Sequence, residues 1–552
     1  MLSSGHFSKQ AARGRFSPHA WALLGLAAVG VLLRLWRAHA ADWYWDEGYL
    51  AELALDLGHL QRPHSGALWF NGVLPLTTSW LAPLSAAPFT WIFPTNALAA
   101  VRLWSSLLGG LSVLGLGLAG RRLGGWRLGL SAATLFAVGP FPVALGGLAL
   151  YHHLSCALAL ASLWAALPPM PGEWEAPDWT PWLLAGLSAA ACYWMWWLPL
   201  ALCFKPSGPR PKARLLHLAL GFGPLGLALG LSLTLGGADA RAMWKGMLSY
   251  NYLSRYLADL SKFPNFYPVP WKAAFGPFIS EMARFLWLYP VAWLGLAGLI
   301  LTRRRPFWLW LGPALGLADL LRQRGSLEGS PYVLVPLLPW FCLGLAMEVE
   351  RLASLPPRWR LLGLGFAMAL LVPTHLDWMK RLFVPPAMAR NLQAFLKTQH
   401  CENDTVLAVP NIEWHLREVC KPVEFDQAAA TRGWTGGLLP AGLSASAFAY
   451  DPSLEKARFL VTTPEDFDVD FSAPHVALEA LVAEYEGWPK VFENPTFRVY
   501  ANPRFGVPRD PGVRILGDPI LYRKTADDAR TLGHSDWAAF ALARAASARL
   551  PP

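Results

Sequence analysis

Charged residues are scarce in this chain, 15% of 552 against 54% hydrophobic. A soluble domain carries about 25% charge, so the shortfall excludes a single water-soluble globule. The mean hydropathy of +0.31 points to lipid instead. Cysteine is also scarce. Of the six, Cys156, Cys192, Cys203 and Cys342 lie inside apolar runs with no metal-ligand spacing and read as small buried hydrophobes. Neither a metal nor another cofactor is expected. The chain shows no internal repeat and no low-complexity tract. Acids are outnumbered, 37 against 47 Lys and Arg. The basic residues nevertheless fall in short clusters between apolar runs, the pattern of cytoplasmic loops rather than of a nucleic-acid surface, so nucleic acid is excluded as a partner.

What is present in quantity is tryptophan, 29 residues, which suits membrane interfaces where the ring is buried and the N–H is wet. Lys9, Arg13 and Arg15 precede the run Trp21–Leu33, which places the N-terminus in the cytoplasm and makes the run an outward-going helix. The sequence Ala38-His39-Ala40 leaves a cleaved signal peptide as an alternative. Further runs occupy 74–93, 98–119, 128–148, 151–167, 181–203, 214–235, 284–301, 306–320, 331–347 and 361–374. A crossing helix needs ~20 residues, which gives about ten to thirteen transmembrane helices.

Basic clusters at Arg121/Arg122/Arg127, Lys205/Arg210/Lys212/Arg214, Arg303/Arg304/Arg305 and Arg351/Arg358/Arg360 mark the cytoplasmic connections. Parity from the N-terminus to Arg121 then requires one of three runs not to span. Pro75, Pro83, Pro88 and Pro94 single out 74–93 as a broken or interfacial segment. The run 181–203 stays open between one crossing and a hairpin, because its two flanks both look cytoplasmic.

After Pro373 the composition turns polar. Strand-like runs at Val406–Val409, Phe459–Val461 and Phe497–Tyr500 and an amphipathic stretch at Ala387–Leu396 predict an α/β domain. The expected organisation is a mainly α polytopic membrane domain over 1–376, an extracytoplasmic α/β domain over 377–505, and a partly helical tail over 506–552. Cys401 and Cys420 lie in this polar region. An extracytoplasmic location would allow a disulfide between them, the alternative being two unpaired thiols.

The residues suited to chemistry follow the first run. Asp42-Trp43-Tyr44-Trp45-Asp46-Glu47-Gly48-Tyr49 sets carboxylates among aromatics. A carboxylate there can take a proton from an attacking hydroxyl, while aromatic rings offer stacking for a sugar. The alternative is an interfacial belt with solvated acids. Arg34 and Arg37 lie three apart on one helical face, suited to phosphate oxygens or to snorkelling toward lipid headgroups.

Leu33-Arg34-Leu35-Trp36-Arg37 followed by Asp46-Glu47-Gly48-Tyr49 and Ala51 resembles the start of the GT-C integral-membrane glycosyltransferases. The nearest likeness is to the protein O-mannosyltransferases and the lipid A aminoarabinose transferases. Ala100-Val101-Arg102-Leu103 and Ser330-Pro331-Tyr332-Val333-Leu334-Val335-Pro336 are similar to later islands of that family. The resemblance implies inverting transfer of a sugar from a polyprenyl-phosphate donor to a glycan, lipid or protein acceptor at the outer face of the inner membrane. It implies Asp46 as general base, with Glu47 supporting it. Arg34, Arg37, Arg102 and Tyr332 would hold the donor phosphate. Two departures stand out. His152 and His153 occupy a place where relatives often carry an acid or Arg, and either assist proton transfer or are interfacial. Leu74 stands where relatives tend to have Lys. The rival functions are a transporter or flippase of lipid-linked sugars and a non-enzymatic membrane anchor.

Overall fold

The computed structural model describes residues 17–40, 45–60, 81–94, 96–171, 173–192, 195–205, 211–235, 290–301, 307–322, 334–382, 387–408, 416, 419–424, 450, 451, 453–462, 488–494 and 497–506. They form a helical bundle and one small sheet.

Helix α1 (Pro18–Ala40) has 23 residues, a length of ~34 Å. It turns Trp21, Leu24, Val29, Leu32 and Trp36 outward and buries Leu23 and Ala27. Two shorter helices follow at α2 (Trp45–Gly58) and α3 (Leu81–Thr90). Next comes α4 (Ala97–Val138), whose 42 residues form two arms. The backbone leaves helical geometry at Gly124 and at Gly125, where φ of 84° favours glycine. The arms then fold together so closely that a Cβ on Gly129 would lie 2.3 Å from the Gly117 carbonyl oxygen. This hairpin matches the runs 98–119 and 128–148 joined at Arg121–Arg127.

Helix α1 lies antiparallel to the first arm, with Leu23 at Gly117, Val31 at Gly110 and Arg34 at Gly109. One end of the bundle, here the basic end, therefore gathers His19, stacked 5.6 Å from Trp126, with Arg121 and Arg122. Ala38 and Arg102 meet at the opposite end. Helix α5 (Pro140–Gly146) leads into α6 (His152–Ala166). Helix α6 finishes at the basic end, where Arg122 donates to the carbonyls of Trp164 at 2.7 Å and Leu167 at 3.2 Å. Glu173, in the following loop, bridges Arg121 and Arg122 at 2.9 Å each.

The ambiguous run 181–203 resolves into a hairpin. Helix α7 (Thr180–Ala191) leaves the basic end antiparallel to α6, with Ser162 bonded to the Pro181 carbonyl and Ser155 to Ser188. Helix α8 (Trp197–Leu202) returns the chain, because α9 (Pro211–Leu235) then runs parallel to α7. Trp182 stacks on His217 at 5.5 Å, and a Cβ on Gly186 would lie 2.3 Å from the Leu220 carbonyl oxygen. Two parallel neighbours cannot be joined without a return, so the chain folds back between α7 and α9 through α8.

Helices α10 (Pro290–Leu301), α11 (Phe307–Arg322), α12 (Leu338–Ala353) and α13 (Pro357–Leu382) follow. Gly295 and Gly298 let α10 meet α12 at backbone distance, while Gly312 and Gly316 on α11 receive the buried Trp197. Among the described residues two helices are long and apolar enough to cross a membrane unaided, Pro18–His39 and Ala97–Val138. Shorter apolar helices in the described residues occupy Arg214–Ala228, Pro290–Leu301 and Phe307–Leu317. The segment 74–93 contributes α3, ten residues long and ~15 Å, too short to span; residues 74–80 lie outside the described residues.

Pro373 does not end its helix. Helix α13 continues to Leu382, past the boundary at 377 that composition suggested, since one proline removes one N–H while neighbouring turns keep theirs. Beyond it stand α14 (Ala387–Thr398) and strands β1 (Thr405–Ala408), β2 (Lys421–Glu424), β3 (Ala457–Thr462), β4 (Lys490–Glu493) and β5 (Arg498–Ala501), in sheet order β2-β1-β3-β5-β4. β1 is parallel to β2 and β3, whereas β5 is antiparallel to β3 and β4. Leu392 and Leu396 of α14 pack with Val406, Phe459, Val461 and Val499. The tail from 507 lies outside the described residues.

Candidate active site

The acidic pair opens α2, with Asp46 and Glu47 as its second and third residues. Glu47 is fully buried. Its carboxylate meets Arg102 as a fork, Nε donating to Oε1 at 2.9 Å and Nη2 to Oε2 at 2.7 Å. The Ala149 N–H donates to the same Oε1 at 2.6 Å, and Arg102 Nη1 donates to the Ala38 carbonyl at 2.6 Å. One buried ion pair thus ties together the end of α1, the first turn of α2, the first arm of α4 and the loop after α5. Taking two charges out of water is favourable only when geometry is good and the remaining polar atoms find partners, which this fork supplies.

The other expected site residues are placed as follows. Every guanidinium nitrogen of Arg102 is engaged inside the protein, with the Glu47 carboxylate and the Ala38 carbonyl. Glu47 is sealed against Arg102 and Ala149 in the turn that carries Asp46. Arg34 is also fully buried, with donors directed to the carbonyls of Gly30, Phe136 and Ala137. His152 is sealed and stacked on Tyr151 at 4.0 Å. His153 is buried with Nε2 at 3.3 Å from the Leu145 carbonyl. Arg37 is half-buried beside Gly147. The Asp46 side chain and Tyr332 lie outside the described residues.

Sequence reasoning missed the backbone members of the site. The Ala149 N–H and the Ala38 carbonyl carry no side-chain signal. The short glycine pair Gly146-Gly147, which lets the chain pass against Arg34 and Arg37, is the one local hint. Ser105, whose hydroxyl donates to the Leu148 carbonyl at 2.7 Å, fixes the same loop. Among the described residues no group of three or more His, Cys, Asp or Glu converges as a metal site.

In the polar region, Cys401 and Cys420 are neighbours but not a disulfide. The Cys401 thiol donates to the Leu396 carbonyl at 3.1 Å and the Cys420 thiol to the Leu416 carbonyl at 3.3 Å. Hydrogen bonding from Cys420 draws the Cys401 thiol below the ordinary thiol range. Both sulfurs sit in the sheet core. A thiol-alkylating reagent should therefore label neither residue in the native protein and both after denaturation without reductant. Mass spectrometry checks this, and labelling that requires reductant would show a disulfide.

Helix α14 approaches the same end of the bundle, where Arg390 Nη2 donates to the His39 carbonyl at 3.2 Å. The polar region and the Glu47–Arg102 pair therefore stand at one end, opposite the Arg121–Glu173–Arg122 network.

No protein-family model matches the chain, and no curated protein matches it in sequence. Solved structures do match in fold. The archaeal oligosaccharyltransferase AglB from Archaeoglobus fulgidus, in complex with an inhibitory peptide and a dolichol-phosphate, aligns with 89% of this chain and 75% of its own, at TM-score 0.50 and 12% identity. ArnT from Cupriavidus metallidurans, bound to undecaprenyl phosphate, aligns with 89% of this chain and 100% of its own, at TM-score 0.49 and 14% identity. The arabinofuranosyltransferase AftD from Mycobacteria aligns with 94% of this chain and 43% of its own, at TM-score 0.40 and 17% identity. At identities this low the likeness is one of architecture. The chain has the fold of the GT-C integral-membrane glycosyltransferases.

Proposed function

We propose that the protein is a glycosyltransferase that moves a sugar from a polyprenyl-phosphate donor to a glycan, lipid or protein acceptor on the extracytoplasmic side of the inner membrane. The observation that carries this reading is the buried Glu47–Arg102 fork, which fixes the first turn of α2 and so the place of Asp46. A sealed ion pair maintained at the end of a bundle, one residue from a second acid, is what a positioned general base requires. The AglB match, made with a structure that holds dolichol-phosphate, supports a lipid-phosphate donor.

In the reaction, the Asp46 carboxylate takes the proton of an acceptor hydroxyl. The hydroxyl oxygen forms a bond to the sugar's anomeric carbon from the face opposite the phosphate. The bond from that carbon to the phosphate oxygen breaks, its electron pair staying with the polyprenyl phosphate, and the anomeric configuration inverts. Arg37, half-buried beside Gly147, and Tyr332 would meet the departing phosphate. The reaction needs no cofactor.

The basic end of the bundle, with Arg121, Arg122 and Arg127, belongs in the cytoplasm under the positive-inside rule. The opposite end, with Glu47, Arg102 and Arg390, then lies outside. A reporter fused after Pro503 tests the sidedness. An extracytoplasmic reporter should be active there, and activity of a cytoplasm-only reporter would overturn it. The chemistry is tested with purified protein in lipid and a polyprenyl-phosphate sugar: acceptor-dependent release of polyprenyl phosphate supports the proposal, and donor movement across vesicles without transfer would favour a flippase.

A further inference from the structure

The most unusual charge in the described bundle is Arg34. Its side chain is fully buried, yet no carboxylate pairs with it among the described residues. Its partners are carbonyls: Nη1 to Gly30 at 2.9 Å and Ala137 at 3.5 Å, and Nη2 to Phe136 at 3.0 Å, with the guanidinium carbon 5.0 Å from the centre of the Phe136 ring. Phe136 and Ala137 end the second arm of α4, where helix carbonyls carry partial negative charge that offsets a cation. The slot is shaped by glycine. A Cβ on Gly109 would lie 2.4 Å from Arg34 Cδ, one on Gly146 2.4 Å from Nε, and one on Gly30 3.1 Å from Nη1. Packing this tight leaves no room for a phosphate beside the guanidinium.

What Arg34 does hold is α5. Gly146, the last residue of α5, rests on the Arg34 side chain, and Gly147 rests on Arg37. Two residues later the Ala149 N–H reaches Glu47 Oε1 at 2.6 Å. Glu47 precedes no loop; it sits within the first turn of α2, adjacent to Asp46.

We infer that Arg34 is a positioning residue, which acts through α5 and the Ala149 N–H on Glu47 and thereby sets the place of Asp46. The inference rests on the general-base reading of Asp46. A misplacement of about 1 Å far from the reacting atoms can cost roughly 10²-fold in rate, so the effect belongs in kcat.

The test uses the full chain in lipid with Arg34→Met, Arg34→Lys and Gly146→Ala, the last pressing on the slot from α5 with the charge kept. Turnover and donor KM are measured alongside amide hydrogen exchange over residues 147–150. Arg34→Met and Gly146→Ala should lower kcat by about 10–100-fold and leave donor KM within about twofold. Exchange at 147–150 should rise in both, and Arg34→Lys should recover part of the turnover. A donor KM raised about tenfold or more at unchanged kcat would overturn the inference by placing Arg34 on the phosphate. Unchanged exchange at 147–150 would overturn it too, whatever the turnover. Absence of transfer by the wild-type protein would instead count against the glycosyltransferase reading, while the exchange measurement still decides whether Arg34 governs the Ala149 loop.

Discussion

Asp46→Asn should lower sugar transfer by about 10²–10⁴ while donor binding is largely retained. Asparagine keeps the size of the side chain and most of its hydrogen bonding but cannot take the acceptor proton as the new glycosidic bond forms. The fold should be unaffected, because the first turn of α2 is fixed by its neighbour Glu47 through Arg102 and Ala149. The comparison requires purified proteins at matched concentration in lipid, with release of polyprenyl phosphate and donor affinity both measured. Transfer at the wild-type rate would remove Asp46 from the reaction and assign the general base to another residue.

Arg102→Ala should be the most destabilising single change at the site. Removing one partner of a buried ion pair leaves the other charge without compensation, at a cost of about 3–5 kcal/mol. Glu47 would keep the Ala149 N–H but lose both guanidinium bonds, and the Ala38 carbonyl would lose its donor. Unfolding midpoints in detergent should therefore fall in Arg102→Ala and in Glu47→Ala. The double variant Glu47→Leu/Arg102→Met discriminates between mechanisms. Replacing both charges by apolar groups is often neutral, so its stability should lie nearer the wild type than either single variant. A double variant as unstable as the sum of the singles would mean that the two residues act through separate partners. Turnover should fall in all three, since each releases the first turn of α2.

A phosphate contact at Arg102 would have made a different pattern. Loss of the side chain would then weaken donor binding with little change in stability, the reverse of the balance expected from a residue whose three nitrogens bond within the protein.

Much of the architecture was legible in the residues themselves. Apolar runs broken by Gly124-Gly125 and flanked by Arg121, Arg122 and Arg127 specify a helical hairpin, because burial in lipid and the left-handed turn are both local requirements. The short apolar runs Val406–Val409, Phe459–Val461 and Phe497–Tyr500 read as strands, and strands stand there at Thr405–Ala408, Ala457–Thr462 and Arg498–Ala501. The four-residue strands Lys421–Glu424 and Lys490–Glu493 were not legible, since each carries Lys at its start and Glu at its end and too few residues for a pattern.

The functional end divides along the same line. Sequence by itself determined that Asp46 and Glu47 follow the first apolar run and that arginines stand at the end of that run; that the pair opens a helix is a feature of the structure. Which of them meet was decided only in three dimensions. Arg102 finds Glu47 across 55 residues, Glu47 finds the Ala149 N–H across 102, and Arg34 finds the Phe136 carbonyl across 102. Residue type fixes what a side chain can bond to, and local periodicity fixes whether it is buried. The partner is set by how helices distant in the chain pack, and here that packing depends on glycines at 109, 117, 129 and 146 that let backbones and guanidinium groups approach to contact.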